Sequence, residues 1–196
     1  MLARTRSSVT HAARKTVSWK STHGAVSVEF LIAFLPVFVF FLSLLQLSLL
    51  FSTKLLVDHS NVQGARAAAV VFGDEPGAYG DGQDDVHTLT RGRRQAVRDA
   101  VLVSLAPAIL DGSLERVDVA FPLAEEPGGK DQPDDAHLKP LGRGPQMVRV
   151  RVEAEAICKI ALVNLFMCEK GPGLLRVARV NAEVLYPYQG ASYVYE

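Results

Sequence analysis

One carboxylate stands where a charge is costly. In the stretch HGAVSVEFLIAFLPVFVFFLSLLQLSLLF, His23 to Phe51, Glu29 is the single formal charge and sits just inside the apolar run. A bare carboxylate in hydrocarbon costs several kcal/mol, so Glu29 must reach the headgroups, find a cation, or be kept for a task. Two other sets of residues have ligand chemistry. Asp81, Asp84, Asp85 and His87 lie in one Gly-rich loop, and Asp131, Asp134, Asp135 and His137 in another. Neither has the ligand ladder and closing glutamate of a calcium loop, and no helix carries two histidines at zinc-binding spacing. They are expected to be solvated loop charges. No serine stands in a nucleophile-elbow pattern, no cysteine lies in a reactive motif, and no glycine loop suits a phosphate. No catalytic, metal or cofactor site is therefore expected, and the chain is not read as an enzyme.

The apolar run is also the largest organising feature. From Phe30 to Phe51 there are 22 uncharged residues, interrupted by Pro36, Ser43, Gln46 and Ser48. That length suits a helix crossing about 30 Å of hydrocarbon, which makes the lipid bilayer a partner. Arg4, Arg6, Arg14, Lys15 and Lys20 precede the run without an acid, and Lys54 is the one basic residue soon after it. This asymmetry predicts a cytoplasmic N-terminus and an exported remainder on a single-pass anchor in the cytoplasmic membrane, with the C-terminal domain periplasmic or extracellular. The run is long for a removable signal, and no conventional cleavage site follows it closely. Leu55, Leu56, His59, Val62, Ala65, Ala69 and Phe72 recur at spacings of three and four. One helix is thus expected from about Val26 to Phe72.

Beyond it the elements are shorter. Three segments are expected: a basic leader over 1–24, a transmembrane helix with an exported extension over 25–72, and an exported domain over 73–196. Flexible loops are expected near 73–86 and 122–145, the second being the most mobile by composition. His87 to Ile109 reads as a helix capped by Thr88 or Thr90, with an apolar stripe of Val97, Val101, Leu102, Leu105 and Ile109. Arg91, Arg93, Arg94, Arg98 and Asp99 form its polar end, and Pro107 is expected to distort its last turn. Arg116 to Phe121 alternates as a strand. In QMVRVRVEAEAIC, Val148, Val150, Val152, Ala154 and Ala156 share one face against Arg149, Arg151, Glu153 and Glu155, a strand with one wet face. Ile160 to Met167 is ambiguous between helix and strand. Leu174 to Leu185 reads as another strand, with Ala178, Val180, Ala182 and Val184 against Arg179, Asn181 and Glu183. Antiparallel strands joined across 168–173 would cover the helix, giving a small α+β domain on a helical stalk.

Cys158 and Cys168 are the two cysteines, both on the exported side. A disulfide between them would close a short loop and contribute roughly 2 to 3 kcal/mol; two buried thiols are the alternative. The 21 basic and 21 acidic side chains balance. The cluster Arg91 to Arg94 has no aromatic interleaving and faces an exported compartment, which argues against nucleic acid.

The entrance of the apolar run carries a resemblance. Gly24, Ala25, Val26, Ser27, Val28, Glu29 and Phe30 resemble the processing site of type IV pilin-like proteins: a basic leader ending in Gly, four residues, then Glu and an aromatic before an apolar helix. More closely, GAVSVEFLIAFLPVFVFF with the later ARAAAVVF resembles the TadE-like (TadE/TadG-like) pseudopilins of the tight-adherence (Tad) pilus and secretion system, as does the closing VNAEVLYPYQG. The resemblance implies a pilin-like fold and cleavage after Gly24 by a prepilin peptidase, leaving Ala25 as the new N-terminus. It also implies that Glu29 pairs with the terminal amine of a neighbouring subunit; Pro36 could help a subunit enter a filament, or merely bend a solitary anchor. The implied partners are the prepilin peptidase, other Tad pilins or pseudopilins, and the inner-membrane Tad platform. Phe30 in place of the usual tyrosine, with a large exported domain, favours a minor pseudopilin over the main filament subunit. The rival readings are an unprocessed anchored protein with an exported binding or structural domain, and a membrane-tethered enzyme.

Overall fold

A computed structural model describes residues 22–74, 76–80, 87–138, 147–171, 173 and 175–187 of the chain. The chain divides into two compact units, Met1–Phe38 and Val39–Glu196. The described part of the first is a stretch of helix α1, Thr22–Val71, which opens the second unit as well. The leader before residue 22 lies outside the described residues, as do residues 75 and 81–86 of the loop expected near 73–86.

Large apolar side chains make α1 from Ser27 to Leu45 stable without a protein neighbour. Phe30, Ile32, Leu35, Val37 and Phe40 are each at least 60% exposed, and the most apolar 18-residue window is not buried at all. Hydroxyls do not break the pattern, because the Ser43 hydroxyl donates to the Val39 carbonyl at 2.8 Å and so needs no water. Pro36 lies inside the helix and leaves one turn without its amide bond. This is a membrane-spanning helix.

In the second unit α1 changes character. The buried positions are Gln46, Val57, Ser60, Asn61, Gly64, Ala65, Ala68, Val71 and Phe72, at helical spacing. Of the expected stripe, Ala65 and Phe72 are buried and Leu56 and Ala69 pack against the core, whereas Leu55 is 57% exposed and His59 is exposed. Small residues share the packed face with Val57, Val71 and Phe72, and they let another element approach the helix backbone. A Cβ on Gly64 would stand 2.5 Å from Val101 Cγ2.

Helix α2, Arg91–Leu110, supplies that neighbour. It begins four residues later than the sequence suggests, because Thr90 is extended and its hydroxyl accepts from the Arg93 amide. Thr88–Leu89 instead form strand β1, paired antiparallel with β3, Ala136–His137. The buried stripe of α2 is Arg93, Val97, Val101, Leu105 and Ala108; Ile109 turns outward. Pro107 is accommodated, and the helix continues to Leu110.

The main sheet has four strands in the order β2-β4-β6-β5: β2 Leu114–Ala120, β4 Met147–Ile157, β5 Glu169–Lys170 and β6 Arg176–Pro187. The longest pairing runs from Met147↔Pro187 to Ile157↔Val177, all antiparallel. Val148, Val150, Val152, Ala154 and Ala156 are buried as their alternation predicts. The ambiguous segment after β4 becomes a turn and the short helix α3, Asn164–Met167. The fold is thus a long apolar helix followed by helices packed on antiparallel sheet.

Two core clusters show how the layers lie. One joins Val57 and Leu50 of α1 to Val101 and Leu105 of α2 and to Val152, Ala154 and Ala156 of β4. The other joins Ala65, Ala68, Val71 and Phe72 to Val97, Phe121, Val148 and Val150. Strand β4 therefore runs opposite to α1, and its end at Ile157 lies beside the Gln46 end of the helix.

The irregular segment 122–138 is fastened over the outer face of the sheet. Arg149 donates to the Ala124 carbonyl at 2.6 Å and to Glu183 at 2.8 Å, Arg151 donates to the Gly129 carbonyl, and Glu183 accepts from the Gly128 amide at 3.0 Å. The alternating charges of β4 thus carry a loop as well as meeting water.

Candidate functional site

The residues that could do chemistry at the membrane entrance all lie on α1. Gly24 and Ala25 fall within the helical backbone, their surroundings outside the described detail. Glu29 and Phe30 follow, both exposed. Ala25 and Glu29 are four residues apart, hence one turn apart, and Glu29 and Pro36 are seven apart and share a face. Phe30, Phe34 and Phe38 stack in series, with centroid separations of 5.4 and 5.5 Å. The helix therefore presents a carboxylate beside an aromatic ladder and a proline-weakened turn. Such a carboxylate can receive a cation from a neighbouring helix, or turn towards headgroup water.

The loop carboxylates of the second unit have other employment. Arg94 lies over the Phe121 ring at 5.3 Å and pairs with Asp131 at 3.0 Å and Asp134 at 3.1 Å. Asp131 also accepts from the Phe121 amide. His137 is in β3 with its ring against the Thr88 hydroxyl, and Asp135 adopts a left-handed backbone with φ 64°. Asp81, Asp84 and Asp85 lie outside the described residues. Among the described residues no group of three or more His, Cys, Asp or Glu is placed to hold a metal ion.

Cys158 and Cys168 form a disulfide, with Cα atoms 6.6 Å apart. It closes the loop that carries α3 and leads to β5.

Three polar residues organise the domain in ways their sequence readings did not assign. Arg93, placed on a polar helix end by its charge, is instead fully buried. Its guanidinium donates to the Thr88 carbonyl at 3.1 Å and to the Asp74 carbonyl at 2.7 Å, joining α2 to β1 and to the turn after α1. A four-residue rhythm with Val97, Val101 and Leu105 was the available signal. Gln46 is also buried, and its side-chain carbonyl accepts from the Ile160 amide at 3.1 Å. His87 has φ 72°, and its amide donates to the Phe72 carbonyl, with Nδ1 3.1 Å from the same oxygen. Burial lowers the His87 pKa below 6.5, the Phe72 carbonyl opposes this, and the Arg93 charge adds to it.

In comparisons with known proteins, no family profile, no curated protein and no solved structure matches this chain.

Proposed function

We propose that this membrane-anchored chain is a minor pseudopilin-like component of a Tad-type pilus assembly or secretion machine, working through protein contacts and not through catalysis. The observation that carries the reading is the register of Gly24, Glu29 and Phe30 with the start of a lipid-exposed helix. Cleavage after Gly24 by a prepilin peptidase would free an amine at Ala25. In a bundle of such helices, that amine and the Glu29 carboxylate of a neighbour are each costly alone and tolerable together. Pairing them fixes the axial register of one subunit on the next.

Two features support export of the domain. Five basic residues precede the span against Lys54 soon after it, and the Cys158–Cys168 disulfide suits an oxidising compartment. These features stand without the processing motif and equally favour a second reading: an unprocessed single-pass protein with an exported binding or structural domain.

N-terminal sequencing of the membrane-extracted protein, from cells with and without an active prepilin peptidase, separates the two. Peptidase-dependent loss of residues 1–24, blocked by Gly24→Leu, is expected. An unchanged N-terminus in peptidase-active cells overturns the pseudopilin reading and leaves the anchored binding protein.

A further inference from the structure

The domain carries an exposed apolar surface at one end. In the disulfide-closed loop, Phe166 is 81% exposed, Leu165 57%, Leu162 47% and Met167 38%. Four large apolar side chains exposed together on one short loop mark a contact surface. At the same end Leu110, closing α2, is 87% exposed.

The position of this end is fixed within the second unit. Ile157 closes β4 beside the start of the packed part of α1, and a groove there is lined by Gln46, Leu50, Pro107, Asp111, Ile157 and Lys159. The loop leaves from this point, and the Gln46 bond to the Ile160 amide ties its first turn to the helix. Gln46 is the first buried residue of α1 among those whose burial is described. Ser27 to Leu45 is 19 residues, about 28 Å of helix and so close to the thickness of hydrocarbon. On the open side of α1, Leu47 and Phe51 stay exposed at this level, and the next charge is Lys54.

Charge points the same way. Between Cys158 and Arg179 stand Lys159, Lys170, Arg176 and Arg179 against Glu169 alone, a net charge of plus three. The residues after Gly24 taken together are net minus five. The apolar tip is therefore flanked by a locally basic segment, as suits anionic headgroups.

We propose that the Cys158–Cys168 loop is a second membrane contact, inserting Leu162, Leu165, Phe166 and Met167 into the interfacial zone of the same bilayer that α1 crosses. Insertion to the depth of interfacial helices, roughly 5 to 10 Å, places the tip among the first acyl carbons and the basic residues at the phosphates. The domain is then held at two points and cannot swing freely about its helix. The proposal rests on the spanning helix and is independent of processing at Gly24.

The test uses the full chain in lipid nanodiscs containing phosphatidylglycerol and phosphatidylcholine brominated near the carbonyl end of the acyl chains. Trp19 is the chain's single tryptophan, so Trp19→Phe provides a dark background for Phe166→Trp, Leu165→Trp and, at the opposite end of the domain, Leu123→Trp. The loop tryptophans should emit at shorter wavelength and be quenched several-fold more by bromolipid than Leu123→Trp, while resisting iodide. Ready iodide quenching with no bromolipid effect at both loop positions overturns the proposal. Protection from both quenchers also overturns it, because the loop is then covered by protein, such as a second copy. Helix insertion is read separately by co-elution with the nanodisc, so a failed anchor and a failed loop contact give different results.

Discussion

The two halves of α1 are one helix built by opposite rules. From Ser27 to Leu45 the side chains, Glu29 apart, are mostly large, apolar and exposed, as suits a helix surrounded by lipid. From Val57 to Phe72 the buried positions include Ser60, Asn61, Gly64, Ala65 and Ala68, whose value lies in how little space they take. Hydrophobicity selects the environment of the first half, and volume selects the partner of the second. A hydropathy reading sees the first rule clearly and the second hardly at all.

The comparison can be broken from either side, and the largest expected effect is on the packed side. Arg93→Ala removes two charged hydrogen bonds, from the buried Thr88 carbonyl and the part-buried Asp74 carbonyl, and should destabilise the domain by about 3 to 5 kcal/mol without affecting membrane insertion. A denaturation midpoint close to that of the parent chain would show that Arg93 is not the pin described. On the lipid side, Phe34→Asp should reduce insertion by about 2.5 to 3.5 kcal/mol, read by glycosylation mapping of microsomal insertion. Its domain should unfold as before; a matching loss of domain stability would mean that the two halves are not governed separately.

Gly64→Ala comes next. The added methyl meets the β-branched Val101, and the overpacking should cost about 1 to 3 kcal/mol. Leu55→Ala, on the exposed face of the same helix, should change domain unfolding little, and equal effects would place the packed face wrongly. The smallest effect concerns pH. His87 titrates below 6.5 when folded, so the unfolded chain binds the proton more readily. Its contribution is complete above 6.5 and is lost as pH falls through the lower folded value. His87→Asn, which tolerates the positive φ, should flatten that acid-side loss in a thermal melt series; an unchanged slope would assign the acid sensitivity elsewhere.

Much of the fold was legible because its signals are local. The uncharged run, the alternation of β4 and the apolar spacing of α2 each report a single element against solvent or lipid. Other features failed for reasons of partnership. Arg93 reads as a surface charge until the carbonyls of Thr88 and Asp74 are brought to it. Gln46 reads as an interruption in a span until the Ile160 amide, 114 residues later, reaches it. The start of α2 was set too early because Thr88 could cap a helix, yet it is engaged by β3. The loop carboxylates Asp131 and Asp134 looked solvated, and only the arrival of Arg94 shows their role.

By itself the amino-acid order determined an anchor of about the right length for a bilayer, the strand faces of an α+β domain and the motif around Gly24 and Glu29, because each is written in neighbouring residues. Tertiary structure decided which face of α1 is packed, what the buried arginine and glutamine serve, and that the first turn of the apolar loop is tied to Gln46 of α1. Those outcomes depend on distances between residues far apart in sequence, and no local pattern encodes such distances.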